Sequence, residues 1–328
     1  MRILVRRFAF YLLTAWVALT VNFFLPRLVP GNPVATAIAQ ASRAGLCNPN
    51  CVRAIELQFG LHSNTPMWVQ YLDYWRDLLH GDLGQSWFLG NQPVTTLLGE
   101  YLPWTAALLG VSTLLSFLLG TLLGVLLGWR RGSWLDWVMP GATFFQAIPY
   151  FFLALVLLML FGTTLHWFPI GQGYDIYGTS PGLNWPFLSS VANHAALPAA
   201  TIVLASMAGW ILGMRNMMVI TMDEDFVLVA RAKGLPSPRV VWYAARNALL
   251  PSVANFAVAI SLVVAGQLLV EIVFSYPGVG YLLFQAVLSN DYPLVQGIFV
   301  VITLVVLAAN LIADGVYVLI DPRARQEA

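Results

Sequence analysis

Six long runs, at 8–25, 104–128, 138–165, 195–214, 251–274 and 294–320, carry almost no charge; Glu271 late in the fifth and Asp314 late in the sixth are the exceptions. A bilayer's hydrocarbon core is crossed by roughly 20 apolar residues in a helix. In lipid every backbone N–H and C=O must be paired internally, so such runs become helices, and they lack the alternation of membrane-barrel strands. The pattern predicts an all-α, polytopic membrane protein with six transmembrane helices. Composition agrees: 59% of the 328 residues are hydrophobic and 9% are charged, against about 25% charged in soluble domains. A soluble enzyme and a disordered chain are excluded. A net charge of +1 excludes the broad basic surface that binding a nucleic acid requires.

The opening MRILVRR and the apolar run behind it look at first like a secretory signal. The run is longer than a signal's apolar core and no small-residue cleavage site follows, so it is expected to remain as the first span. With that terminus in the cytoplasm, 12 of the 16 Lys and Arg residues lie on the inner side. The other four, Arg27, Arg43, Arg53 and Arg76, share one long outer loop, where the positive-inside rule is weak. The outer segments 166–194 and 275–293 hold no Lys or Arg. Both termini are therefore expected in the cytoplasm. The organisation expected is a first span with a long extracytoplasmic loop (1–103), a core of five spans (104–320) with a cytoplasmic loop at 221–250, and a short tail (321–328).

Within the long loop, MWVQYLDYWRDLL at 67–79 has helical apolar spacing and aromatics, as in a helix lying at the outer interface or against the spans. Cys47 and Cys51 flank an Asn-Pro-Asn turn. Outside the membrane such a pair can form a disulfide, with free thiols as the alternative. A metal site is disfavoured, because two cysteines without a neighbouring His are too few ligands. Gly120, Gly124 and Gly128 recur every four residues, as do Gly209 and Gly213; small residues at this spacing let helices approach closely in lipid. Packing inside one subunit explains them more simply than a dimer face.

The most informative segment is TMDEDFVLVARAKG at 221–234, followed by LPSP. Asp223 is placed to cap a helix, with Glu224 and Asp225 at its positive end. Arg231 and Lys233 fall in its last turn, Gly234 suits the position just past it, and Pro236 stops it. A helix of about ten residues follows, roughly 15 Å long. Ser237-Pro238 then starts a second helix running to Leu250, where Pro251 opens the fifth span. Phe226, Val229 and Ala230 form an apolar stripe. A helix of this kind can dock into a groove on a soluble partner, Ala230, Ala232 and Gly234 permitting close approach, or it can rest on its own bundle.

At these residues the sequence resembles a known family. Glu224-Asp-Phe226, Ala230-Arg-Ala-Lys-Gly-Leu235 and Arg246-Asn-Ala-Leu-Leu-Pro251 are similar to the coupling loop of ABC importer permeases. The generic loop has Glu-Ala-Ala six residues before its glycine; here Leu228, Val229 and Ala230 stand there, and the longer spacing from Gly234 to Pro251 suits the dipeptide/oligopeptide/nickel branch. VPGNP at 29–33, HGDLG at 80–84, EIVFSYPGVG at 271–280, DYPLVQG at 291–297 and DPR at 321–323 follow in the order of that branch. The resemblance implies a B-type permease of type I importer architecture in a bacterial or archaeal plasma membrane. It implies as partners a second permease, two cytoplasmic ATPases that hold ATP and Mg, and an external substrate-binding protein. The cargo implied is a peptide, with oligosaccharides and nickel as the family's alternatives.

Lys233 is the chain's only lysine and sits in Ala-Lys-Gly-Leu, so the Gly-Lys-Ser/Thr of a phosphate-cradling loop is absent. ATP-driven transport would then need hydrolysis on another polypeptide, with no cofactor held here. The rival is a self-contained ion-coupled carrier or channel, which usually places ionisable groups at mid-membrane; Glu271 and Asp314 lie toward span ends. An intramembrane enzyme fares worse. His62, His80, His166 and His194 all border outer segments, and neither an HExxH pair nor paired intramembrane acids are present. Candidates for lining a path are the polar or kink-forming Gln146, Pro149, Tyr150, Asn255, Gln267 and Asn310. Polar groups in spans also bond neighbouring helices. Glu271 is alternatively placed to order the turn from Phe274 to Gly280.

Overall fold

A computed structural model describes residues 2–28, 66–266 and 268–320; Cys47, Cys51 and Gln267 lie outside them. The described chain is mostly helical, and it divides into two compact units. Among the described residues three helices are long and apolar enough to cross a membrane, Val94–Trp129, Trp185–Met222 and Tyr292–Ile312, and the bent pair Trp134–Ala147 with Tyr150–Thr164 can supply a fourth span. Phe8–Phe24 is a shorter apolar helix by the same measure.

The first unit comprises Met1–Pro103 and Tyr281–Leu307. Helix α1 (Arg2–Leu28) packs on α2 (Met67–Leu79), which follows the expected aromatic helix. Phe23 sits 5.2 Å from Tyr71 and 5.4 Å from Tyr74 between ring centroids, and Tyr74 donates its hydroxyl to the Leu19 carbonyl at 3.3 Å. The HGDLG motif is the turn after α2: Gly81 and Gly84 have φ of +75° and +82°, which glycine adopts without strain. A two-stranded hairpin, β1 (Gln85–Ser86) and β2 (Gln92–Pro93), follows. Asp291 fixes it. Its fully buried carboxylate accepts from the Ser86 hydroxyl at 2.6 Å and from the Phe88 and Leu294 amides. The last of these caps the N-terminal end of the helix that begins at Tyr292.

The second unit comprises Trp104–Gly280 and Ala308–Ala328. Its scaffold is α3 (Val94–Trp129) from Trp104 onward, α4 (Val138–Ala147), α5 (Tyr150–Leu157), α6 (Trp185–Met222), α7 (Asp225–Ala232), α8 (Ser237–Gly266) and α9 (Leu268–Val273). Helix α10 (Val279–Leu288) and α11 (Tyr292–Ile320) complete the order. The run 138–165 is not one helix. Pro149 disfavours a helical conformation at the residue before it, and Ile148 takes the extended φ −81°, ψ 126°. The chain restarts as α5 and ends in a π-helical turn, Leu158–Thr164. Pro251 behaves oppositely. It sits inside α8, so the two helices expected on either side are continuous. Pro103 and Pro198 are likewise interior.

Helix α6 has 38 residues, about 57 Å at the usual rise, well beyond a hydrocarbon core of about 30 Å. Asn184 caps its start by accepting from the Phe187 amide. Helix α3 lies close against it: a Cβ at Gly120 would stand 2.5 Å from Trp210 Cβ, and one at Gly124 2.6 Å from Met214 Cβ. The expected close approach is thus realised within the chain at these two glycines and at Gly128, which faces Met218.

The EIVFSYPGVG segment turns at the end of α9. Glu271 is fully buried, and its carboxylate accepts from the Gly280 amide at 2.7 Å. It orders the turn, as the alternative reading of this residue proposed. Trp104 closes the turn from the side, with Tyr276 edge-on at 5.8 Å and Tyr174 stacked at 6.1 Å. Burial, with the Glu271 charge second, pushes the Tyr276 hydroxyl up to about 12.

Candidate functional site

Helix α7 is eight residues long, about 12 Å. Its cap is not Asp223. The Asp223 amide still donates to the Ile220 carbonyl at the end of α6, and its carboxylate is held by both Nη atoms of Arg131, at 3.0 and 3.1 Å. That hydrogen bond, with the charge attraction, lowers the Asp223 pKa below the ordinary carboxylate value. Glu224 occupies the capping position, without a side-chain capping bond. The acidic start survives in Asp225, and Arg231 lies in the last turn, each favourable against the helix dipole.

The C-terminal end follows the sequence closely. Gly234 has φ +71°; its amide donates to the Arg231 carbonyl at 2.9 Å, and the Leu235 amide donates to that of Ala230 at 3.3 Å. These two bonds make a Schellman motif. Lys233 is the residue from which the chain leaves the helix.

Two faces of α7 have different fates. Val227 and Ala230 are buried in one apolar cluster with Met214, Met218 and Met222 of α6 and with Val240, Ala244 and Ala248 of α8. Phe226, Leu228 and Val229 are 42%, 51% and 52% exposed. The expected stripe of Phe226, Val229 and Ala230 is therefore split: Ala230 belongs to the inner face with Val227, and Leu228 joins the outer one. Ala232, like Arg231, Lys233 and Gly234, is exposed. The next helix adds Trp242 and Tyr243, both half or more exposed, which sequence reasoning passed over. Two consecutive aromatics close to a helix start, outside the six long apolar runs, were the available signal.

The break at Pro149 shapes a second feature. Gln146 at the end of α4 and Tyr150 at the start of α5 line a cavity of about 510 Å³, together with residues of α3, α6 and α8 that include Thr113, Trp210 and Asn255. Of the six path candidates, Gln146, Tyr150 and Asn255 thus meet in one place. Pro149 creates the break without lining the cavity, and Asn310 lies elsewhere, on α11. Gly209 and Gly213 also line it. They do not serve close helix contact: a Cβ at Gly213 would meet nothing within 4 Å, and one at Gly209 only the Gln146 Nε2, at 3.7 Å. Among the described residues, no group of three or more His, Cys, Asp or Glu comes together as a metal site would require.

The chain that carries this helix and this cavity is similar to known proteins over most of its length. Residues 120–326 match the family described as binding-protein-dependent transport system inner membrane component. The oligopeptide transport system permease protein AppB of Bacillus subtilis (strain 168) is 33% identical over 308 residues, 92% of each chain. The di/tripeptide transport system permease protein DppB of Pseudomonas aeruginosa (strain UCBPP-PA14) is 33% identical over 346 aligned positions, 98% of each chain. The oligopeptide transport system permease protein OppB of Haemophilus influenzae is 30% identical over 314 residues, 95% of each chain. By these matches the chain belongs to the family of binding-protein-dependent transport system inner membrane components.

Proposed function

We propose that this chain is one of two membrane-spanning subunits of an ATP-driven peptide importer in a bacterial or archaeal plasma membrane. It crosses the membrane six times with both termini in the cytoplasm. It receives its peptide from an extracytoplasmic binding protein and takes its power from two ATPase subunits that carry ATP and Mg. Gln146, Tyr150 and Asn255 line its half of the path. The peptide names of the relatives and the positions of Lys and Arg along the chain support this reading.

One observation carries the mechanism. Helix α7 is anchored by Val227 and Ala230 to α6 and α8, helices that also wall the cavity, while Phe226, Leu228 and Val229 face outward. A rod held on one face can pass a push from a partner's cleft into the helices on which it rests. Burial of its exposed apolar face by an ATPase would provide the attachment.

The test uses the whole complex in liposomes with ATP inside the compartment that faces the ATPases. Val229→Glu and Arg231→Glu should each lower peptide uptake by about tenfold or more, as for a residue at the centre of an interface, while the chain inserts and co-purifies with the second permease. Unchanged uptake and unchanged binding-protein-stimulated hydrolysis would overturn the coupling role. Uphill uptake by this polypeptide alone, without an ATPase partner, would overturn the whole reading.

A further inference from the structure

The cavity between α3, the α4–α5 break, α6 and α8 has a lining that separates it from an ordinary packing defect. Among the described residues that line it there is no Asp, Glu, Lys, Arg or His, yet it gathers Thr113, Gln146, Ser206, Ser252 and Asn255 around one wall of Trp210. A volume near 510 Å³ lies within the usual range for small-molecule pockets, roughly 300–1,000 Å³.

Several of these polar groups have no use inside the chain. Thr113 is 4% exposed, and its Oγ1 has no hydrogen-bond partner among the described residues. The Gln146 and Asn255 amides are exposed and form no side-chain hydrogen bond with a described residue, whereas Ser206 donates to the Ile202 carbonyl. A buried polar group without a partner, such as the Thr113 hydroxyl, is uncommon in proteins, and here it borders the same open volume as the two amides. A set that stays unpaired around an open volume is suited to a guest that brings its own donors and acceptors.

A side-chain amide offers one carbonyl and two N–H donors, which complements a peptide group's N–H and C=O in both directions. It carries no net charge, so in a low-dielectric surrounding it neither attracts nor repels a charged side chain as a carboxylate or ammonium would. We propose that this cavity is a charge-blind holding site for peptide backbone, in which the Gln146 and Asn255 amides and the Thr113 hydroxyl hydrogen-bond the substrate's peptide groups and Trp210 supports its side chains. The proposal rests on the peptide-importer reading above and adds the chemistry by which the path accepts peptides of differing charge.

The experiment uses the full complex in liposomes with its unaltered binding protein saturated by Ala-Lys-Ala, Ala-Ala-Ala or Ala-Asp-Ala. Gln146→Glu and Asn255→Asp keep side-chain shape and add one negative charge. Each should raise the Lys-to-Asp uptake ratio by about tenfold over the unaltered chain, given the strength of charge interactions away from bulk water. Dividing by the unaltered ratio removes the binding protein's own preference. Gln146→Lys should move the ratio the other way. The double variant Gln146→Ala/Asn255→Ala should slow all three peptides by a similar factor. It decides the matter if the charged variants fail to assemble: a loss confined to one charge class would overturn the proposal. So would acid variants that assemble and leave the ratio unchanged. A complex with the unaltered chain that takes up none of the three peptides would instead overturn the importer reading beneath it.

Discussion

Two glycine rows of identical spacing do opposite things in this molecule. Gly120, Gly124 and Gly128 of α3 let its backbone lie against α6, so that added Cβ atoms at the first two would come within 2.9 Å of the Met207 and Ile211 carbonyl oxygens. Gly209 and Gly213 of α6 touch almost nothing and instead hold a cavity open. A small residue every four positions marks a helix face that must stay low. Whether a neighbour or a void fills the space above it depends on the rest of the bundle. Here the break at Pro149 is what turns the second row into a cavity wall.

The largest effect expected from breaking this contrast is at the closed row. Gly124→Leu would force a side chain between two backbones that cannot separate without moving the packing on Met214 and Ile211. Overpacking of this kind costs about 1–3 kcal/mol and sometimes more. The purified complex should lose several degrees of thermal midpoint and much of its yield. Even Gly124→Ala should destabilise, because the obstacle is main chain rather than a flexible side-chain end. An unchanged midpoint for both variants would mean that the helices can move apart freely.

At the open row the sign reverses. Gly213→Ala meets nothing within 4 Å and should stabilise by about 0.5–1 kcal/mol, the usual gain of alanine over glycine inside a helix. Gly213→Leu should also leave the thermal midpoint near or above that of the unaltered chain, while occupying part of the 510 Å³ volume and lowering uptake. If Gly213→Leu unfolds the chain as Gly124→Leu does, the two rows are alike and the cavity is not a void the protein maintains.

The same contrast shows what could be read from the sequence. Charge-free runs located the long helices, because lipid admits few alternatives. The end of α7 was legible because Gly234 and the residues around it form a self-contained local motif. Its beginning was not, since Arg131, distant in sequence, holds the Asp223 carboxylate that a local rule assigns to capping. The apolar stripe of α7 was only half legible: a period of three or four residues identifies Val227 with Ala230 as readily as Phe226 with Val229, and the methionines of α6 decide between them. Prolines divided in the same way. Pro149 follows the end of a helix, while Pro251 rides inside one, so the residue type alone does not decide the outcome.

The smallest expected effect concerns the pair that displaced the sequence-based cap. Arg131 and Asp223 are both largely exposed, so water and salt screen their attraction, and exposed ion pairs contribute little to stability. Asp223→Asn should barely move the thermal midpoint at neutral pH, and the small shift should vanish at high salt. The sign with pH is fixed by the lowered Asp223 pKa. The pair's contribution is complete above the ordinary carboxylate value and fades as the pH falls through the lowered one, so acid should erase the difference between Asp223→Asn and the unaltered chain. The pair also joins the turn after α3 to the junction of α6 and α7, beside the Arg215–Asp136 contact at 3.5 Å. If that link sets the angle at which α7 is presented, Asp223→Asn should weaken stimulation of ATP hydrolysis by the loaded binding protein more than it weakens stability. Equal, negligible changes in both would show that the inner-face anchors Val227 and Ala230 hold α7 without it.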